Sequence, residues 1–354
     1  MSSPHQELPA RRLGMRAVAQ AAGVSLMTVS LALRNSPRVL LETRMRVQQV
    51  AAELGYRPDP EISRLMQRLR PTRAGSGAVL AMIDLHAEKI NLQAYDLRVR
   101  DGIEGRARQL GYSVSLFALR DYGGRLPRLL GVVRCRGISG ILLLPATPTV
   151  ALDPTATWDG LSVVAVTTSV ISPQFHQVVP HHVLNIRLLI EHLTGRGFKR
   201  LGLIMSESLH QRTYEIYAMV MTVAGHRSGI LIIPDLASAE AREASVIAWL
   251  EARDPDVIIG GELMLRMLKA ARVARACVGR EKVALTDPPD ATTLFLDQQP
   301  DVIGASAVSL LTGMIHNNET GIPASPQITV IRGRLPLVRN HRDETRRRRG
   351  GSLP

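Results

Sequence analysis

Adjacent histidines at 181 and 182, and two cysteines at 135 and 277, are the residues of this 354-residue chain that first suggest chemistry. Neighbouring positions on a helix point apart, so His181 and His182 cannot close on one ion. Cys135 and Cys277 are too distant in sequence for a metal-ligand spacing or a disulfide framework, and read as free, buried thiols in a reducing compartment. The chain has no phosphate-cradling P-loop, no G-x-G-x-x-G after a strand, no G-x-S-x-G elbow and no H-E-x-x-H helix. No catalytic residue, metal site or cofactor is therefore expected, and the chain reads as a binding protein rather than an enzyme.

Charge indicates what is bound. The net charge of +13 is concentrated at the two ends: residues 1–74 carry twelve Arg and five acids, residues 339–354 six Arg and two acids, and the long middle is near neutral. Cations on a small N-terminal module displace counterions from a phosphate backbone. A compositional origin competes with this reading, since 40 of the 44 cations are Arg.

The elements that would position such a contact lie in VAQAAGVSLMTVSLALRN, Val18 to Asn35. Two short helical stretches break at Ala22-Gly23-Val24. Ala19 is small where the helices cross, Gly23 supplies the positive φ of the turn, and Val29 points back into the hairpin. Ser25 is placed to cap the second helix by accepting from the N–H of Thr28. A third helix is predicted from Thr43 to Leu54, with Val47, Val50, Ala51 and Leu54 on one face, ended by Gly55. The result is an all-α three-helix headpiece built on a helix-turn-helix.

This stretch, continued in PRVLLETRMRVQQVAAELGYRPDP, resembles the headpiece of the lactose/galactose repressor (LacI/GalR) family without gaps from Met15 to Pro58. The pieces that carry the resemblance are Val18-Ala19, Ala22-Gly23-Val24-Ser25, Thr28-Val29-Ser30, Thr43-Arg44, Val47 and Leu54-Gly55-Tyr56-Arg57-Pro58. Ala17 departs from it, standing where the family commonly has Asp. The resemblance implies that the second helix enters the major groove, with Leu26, Met27 and Leu31 toward base edges and Ser25, Thr28 and Ser30 nearer phosphates. Such apolar side chains cannot form bidentate base contacts but can pack on thymine methyls; the alternative is that they are core. Arg34, Asn35, Tyr56 and Arg57 complete the expected headpiece contacts. In the family, the segment matching Pro60–Arg70 is a hinge helix, and Leu65 falls where an apolar wedge enters a minor-groove step. Ile62 replaces the usual Ala there.

From Ala78 onward, apolar strand-like runs (AVLAMID, SVSLFAL, GILLLPA, SVVAVTT, RLGLIM, GILIIP, DVIIGG, KVALTD) alternate with helical stretches, among them Leu209–Val223 and Leu263–Ala276. This predicts α/β architecture with two doubly wound parallel-sheet subdomains, whose ligands lie beyond the carboxyl ends of the strands. The run also resembles the family's periplasmic-binding-protein-like body, with chain crossings expected near Pro180, Gln298 and Pro326. By family position, Arg212, Asp287, Gln298 and Glu262 would contact an effector. Thr167 replaces a sugar-binding Asp, and Leu236 a stacking aromatic.

The expected domains are a disordered extension (1–13), the headpiece (14–58), a hinge and linker (59–77), an effector-binding and dimerisation body (78–338) and a basic disordered tail (339–354). The body divides into 78–180 with 298–325, and 181–297 with 326–338. No secretory signal and no run of about 18 apolar residues is present, so a cytoplasmic protein with no membrane contact is expected. The function implied is that of a homodimeric repressor on a double-stranded DNA operator of inverted-repeat form, controlled by a small-molecule effector, carbohydrate being one class. A binding or transport module with no DNA role is the alternative; it explains the body but not the headpiece.

Overall fold

In a computed structural model of the chain, residues 14–33, 39–56, 78–89, 93–285 and 294–335 are described. Arg34, Asn35, Arg57, Leu65 and Asp287 lie outside them, as do the expected hinge helix and both terminal segments. The chain divides into two compact units, one carrying the headpiece and one carrying both parallel sheets.

In the headpiece, α1 (Met15–Ala22) and α2 (Leu26–Ala32) are bent by 98° at their break. Gly23 caps α1 at φ 65°, and its neighbour Val24 donates its N–H to Ala19 O at 3.0 Å, closing the turn. Ser25 caps α2 as its sequence position implies: its Oγ accepts from Thr28 N at 3.1 Å. The α1 N-terminus has no side-chain cap and no acid in its first turn, in keeping with Ala17. The third helix, α3 (Leu41–Glu53), begins two residues before the expected Thr43, without a side-chain cap. Val18, Val29 and Val47 are fully buried and, with Ala22, Ala32 and Ala51, form one small core. Such a core removes little apolar area from water, so small losses of packing matter here.

The body begins with β1 (Val79–Asp84), α4 (Ala94–Gln109), β2 (Ser113–Ala118), α5 (Leu126–Cys135), β3 (Gly140–Leu143), β4 (Val150–Ala151), β5 (Ser162–Val166), β6 (Val170–Ser172) and β7 (His176–Pro180). It continues with α6 (His182–Gly195), β8 (Leu201–Ser206), α7 (Glu207–Arg212), α8 (Ile216–Val223), β9 (Ile230–Ile233), α9 (Ala239–Arg253), β10 (Val257–Gly260), α10 (Glu262–Met267), α11 (Ala271–Ala276), β11 (Glu281–Ala284), β12 (Leu294–Phe295), α12 (Pro300–Asn317) and β13 (Ile328–Ile331). The first sheet has the order β13-β7-β5-β3-β1-β2 and the second β12-β11-β10-β8-β9, every pairing parallel. Strands such as β3 and β5 are buried along their whole length, as both-face coverage requires.

Two helices expected to be continuous are broken. Leu209–Val223 divides at Thr213–Glu215, where Tyr214 and Glu215 adopt positive φ values of 53° and 59°, and Thr213 returns its hydroxyl to Leu209 O at 2.8 Å. Leu263–Ala276 divides at Leu268–Ala270. The chain crosses between the sheets after Pro180 and between Phe295 and Pro300. The third crossing comes later than Pro326: residues 328–331 form β13, paired with β7 through Ile328↔Gln177 to Ile331↔Pro180, so they belong to the first sheet rather than the second subdomain. The crossing strands are then tied together, Asp297 and Arg334 exchanging backbone hydrogen bonds at 2.9 and 2.8 Å.

Candidate DNA-binding face and ligand cleft

On the headpiece, the first two residues of α2 are its most exposed: Leu26 at 43% and Met27 at 71%, against 0% for Val29 and Ala32. The core alternative for Leu26 and Met27 is thereby excluded. Leu31 and Tyr56 are partly buried and pack against the headpiece core, so of the three apolar candidates only Leu26 and Met27 stand clear. Ser25 Oγ and Thr28 Oγ1 lie 2.9 Å apart, one hydroxyl donating to the other. Thr28 and Ser30 are half-buried.

In the body, a cleft of about 980 Å³ opens between the two sheets. It lies where the strands of both sheets end at their carboxyl termini, as doubly wound topology demands. Arg212, at the end of α7, donates from Nη1 to Thr147 Oγ1 at 2.9 Å and to Ala146 O at 3.4 Å, on the far side of the cleft. Thr168, after β5, returns a bond from its hydroxyl to Arg212 O at 2.7 Å. Glu262 opens α10 and accepts from Gln93 Nε2 at 2.8 Å, a second bridge across the opening. Gln298 also lines the cleft, its amide donating to Leu285 O. The structure thus brings Arg212, Glu262 and Gln298 to one site, whereas Leu236 is fully exposed and contributes nothing to it.

Many lining residues were not among the candidates, among them His86, Asp96, His182 and Tyr217. His86 follows β1; its Nε2 accepts from the Thr147 N–H at 3.3 Å, which puts the ring proton on Nδ1, donated to Asp84 Oδ1 at 2.7 Å. Burial pushes the Asp84 carboxyl up, but Arg120 at 2.8 Å and the His86 bonds outweigh it and hold the group below the usual carboxylate range. Asp96 is raised by burial despite its bond from Gln93 N and the cations around it. His182 Nδ1 and Tyr217 Oη are 2.9 Å apart, and burial, with Arg212 and His181 adding like charge, holds His182 down to about 4. Burial raises the Tyr217 phenol. His181, by contrast, caps α6, accepting from Leu184 N at 3.4 Å. Among the described residues no group of His, Cys, Asp or Glu side chains is arranged to hold a metal.

Residues 14–59 match the family described as bacterial regulatory proteins, lacI family. The match is confined to the headpiece. It is 31% identical over 126 residues to the HTH-type transcriptional regulator DegA of Bacillus subtilis (strain 168), an alignment spanning 35% of this chain and 34% of DegA, about a third of that relative's length. Among solved structures it is similar to a transcriptional regulator CelR–cellobiose complex (TM-score 0.54, 19% identity, covering 92% of this chain and 98% of that one). It is similar also to a lac repressor dimer bound to operator and the anti-inducer ONPF (0.53, 17%, 92% and 98%) and to the trehalose repressor from Escherichia coli (0.54, 13%, 73% and 100%). At these identities the structural likeness establishes the fold: a helix-turn-helix headpiece followed by a body of LacI type.

The headpiece was readable because its residues are contiguous. The cleft was read only at positions matched by resemblance. A purely local signal existed for others: His86, Thr167-Thr168 and Asp235 stand one or two residues after a strand's last residue, Ser206 is the last residue of its strand, and all line the cleft. Among the described residues no single helix is long and apolar enough to cross a membrane.

Proposed function

We propose that this chain is a repressor of transcription that binds an inverted-repeat operator as a homodimer and responds to a small-molecule effector held in the cleft. The observation that carries the reading is the lacI-family match over residues 14–59, on a headpiece whose second helix is capped by Ser25 and exposes Leu26 and Met27. Ser25, Leu26, Met27, Thr28 and Ser30 meet the duplex, with Leu31 and Tyr56 supporting the helix from behind; Arg34, Asn35, Arg57 and Leu65 are the further contacts taken from family position. In the body, Arg212, Glu262 and Gln298 line the cleft, and Asp287 is added by family position. A carbohydrate effector is supported by the cellobiose complex and the trehalose repressor among the structural relatives. Hydroxyls of Thr147, Thr167, Thr168, Ser206 and Ser208 also line the cleft and suit a hydroxyl-rich ligand. Effector binding alters closure of the two subdomains and so the affinity for DNA, a coupling of about 1 to 3 kcal/mol.

The test is selection of genomic fragments by the purified full-length protein, followed by titration of an enriched fragment in the presence of cellobiose, trehalose and other sugars. The expected result is a shared inverted repeat bound in the range of about 10⁻⁸ to 10⁻¹¹ M, with about 5- to 150-fold modulation by one sugar. No preference for any duplex over random competitor overturns the reading.

A further inference from the structure

We propose that the second headpiece helix reads its operator through the C5-methyl groups of pyrimidines, thymine or 5-methylcytosine, packed against Leu26 and Met27. The proposal rests on the reading of the headpiece as a DNA-binding module. In a helix-turn-helix, the N-terminal residues of the second helix reach the base edges in the major groove. Here those residues are Leu26 and Met27, and α2 contains no charged residue and no Asn or Gln between Leu26 and Ala32. The two hydroxyls nearest its start bond to each other and to the helix end: Ser25 Oγ accepts the Thr28 N–H at 3.1 Å and lies 2.9 Å from Thr28 Oγ1.

What α2 offers a base edge is therefore an apolar surface, 71% exposed at Met27. Set against guanine O6 and N7, that surface would strip water from acceptors and return no hydrogen bond, which is unfavourable. Set against a C5-methyl group, it removes apolar area from water on both partners. Discrimination then has two parts, attraction to the methyl and rejection of purine acceptors at the same step. Cytosine lacks the methyl and gains it on 5-methylation, so a methylated C·G pair presents the same contact as T·A.

The experiment uses the full chain and the operator recovered by selection. Each thymine of one half-site is replaced in turn by uracil, which pairs identically and lacks only the methyl, and binding is measured by titration. One or two positions per half-site should weaken by about fourfold, the ratio for one buried methyl-sized group, and Leu26→Ala or Met27→Ala should erase the sensitivity at its own position. Both side chains are exposed, so these variants retain the headpiece core, and the uracil series on the unaltered protein needs no variant at all. Replacing thymine by 5-methylcytosine, with guanine opposite, should keep more affinity than replacing it by cytosine. Uracil tolerated everywhere, losses unchanged in both variants, or half-sites without thymine or 5-methylcytosine overturn the proposal while leaving the operator itself intact. Failure to recover any operator overturns instead the DNA-binding reading on which it stands.

Discussion

His182 is a residue whose environment alters its chemistry. Its ring proton equilibrium is moved from 6.5 to about 4 by burial first, then by Arg212 and His181. The folded protein thus refuses a proton that the unfolded chain accepts between those values, so the stability contributed by the neutral ring is complete above about pH 6.5 and is lost as the pH falls toward 4. The melting temperature should drop through that window, and His182→Gln should drop less, by several degrees. His226 is lowered by burial and titrates in the same direction, so the difference between the two proteins isolates the share of His182. Equal slopes in differential scanning calorimetry would dismiss this role. Neither this behaviour nor the Tyr217 partner was legible in the sequence, where His182 was only one of an adjacent pair. Tyr217 lies 35 positions away on another helix, and only the fold brings them together. The Ser25 cap was legible because donor and acceptor are three residues apart.

At the scale of elements, Gly102 and Gly304 hold α4 and α12 together. A Cβ on Gly102 would sit 2.0 Å from Asp301 O, and one on Gly304 would sit 2.2 Å from Val99 O, so each helix passes its backbone through the other's missing side chain. Gly102→Ala or Gly304→Ala forces the pair apart at a cost of about 2 kcal/mol or more. Gly105, on the same helix α4, has nothing within 4 Å of the added atom, and Gly105→Ala should gain up to about 1 kcal/mol from helix propensity. Thermal melts of the three variants should therefore move in opposite directions, and a stabilised Gly304→Ala would contradict the packing described. That the two glycines are partners was not legible in the sequence, since only the fold brings α4 and α12 together. Strand alternation with helices was legible from composition, whereas the breaks at Tyr214–Glu215 and Leu268–Ala270 were not, since no Gly or Pro punctuates either one. Strand β13 was missed for a related reason: it is a half-exposed edge strand of four residues, set in a sheet whose other members are continuous apolar runs.

For the body as a whole, two side-chain bridges span the cleft, Arg212 to Thr147 and Gln93 to Glu262. Each contributes about 1 kcal/mol, and two of the chain crossings meet at the Asp297–Arg334 backbone pair. Asp297 is held below the usual carboxylate range because the Gln299 N–H, Arg334 and Arg98 outweigh the effect of burial. The double variant Arg212→Ala, Glu262→Ala should show a larger radius of gyration in small-angle X-ray scattering, and an unchanged value would show that closure is set elsewhere. Three of the four cleft contacts named from the sequence fall on described residues and converge, because family position carries topology that local pattern does not.

The absence of charge on α2 reaches beyond base preference, into ionic strength. Under the proposed function, a protein of net charge +13 would hold any duplex by releasing bound cations from it, so added potassium chloride would weaken its grip on operator and arbitrary sequence alike. What α2 contributes releases none. Filter binding at two salt concentrations should accordingly give parallel slopes for the two duplexes and a discrimination ratio that does not change, so this protein would select its site as well in concentrated electrolyte as in dilute.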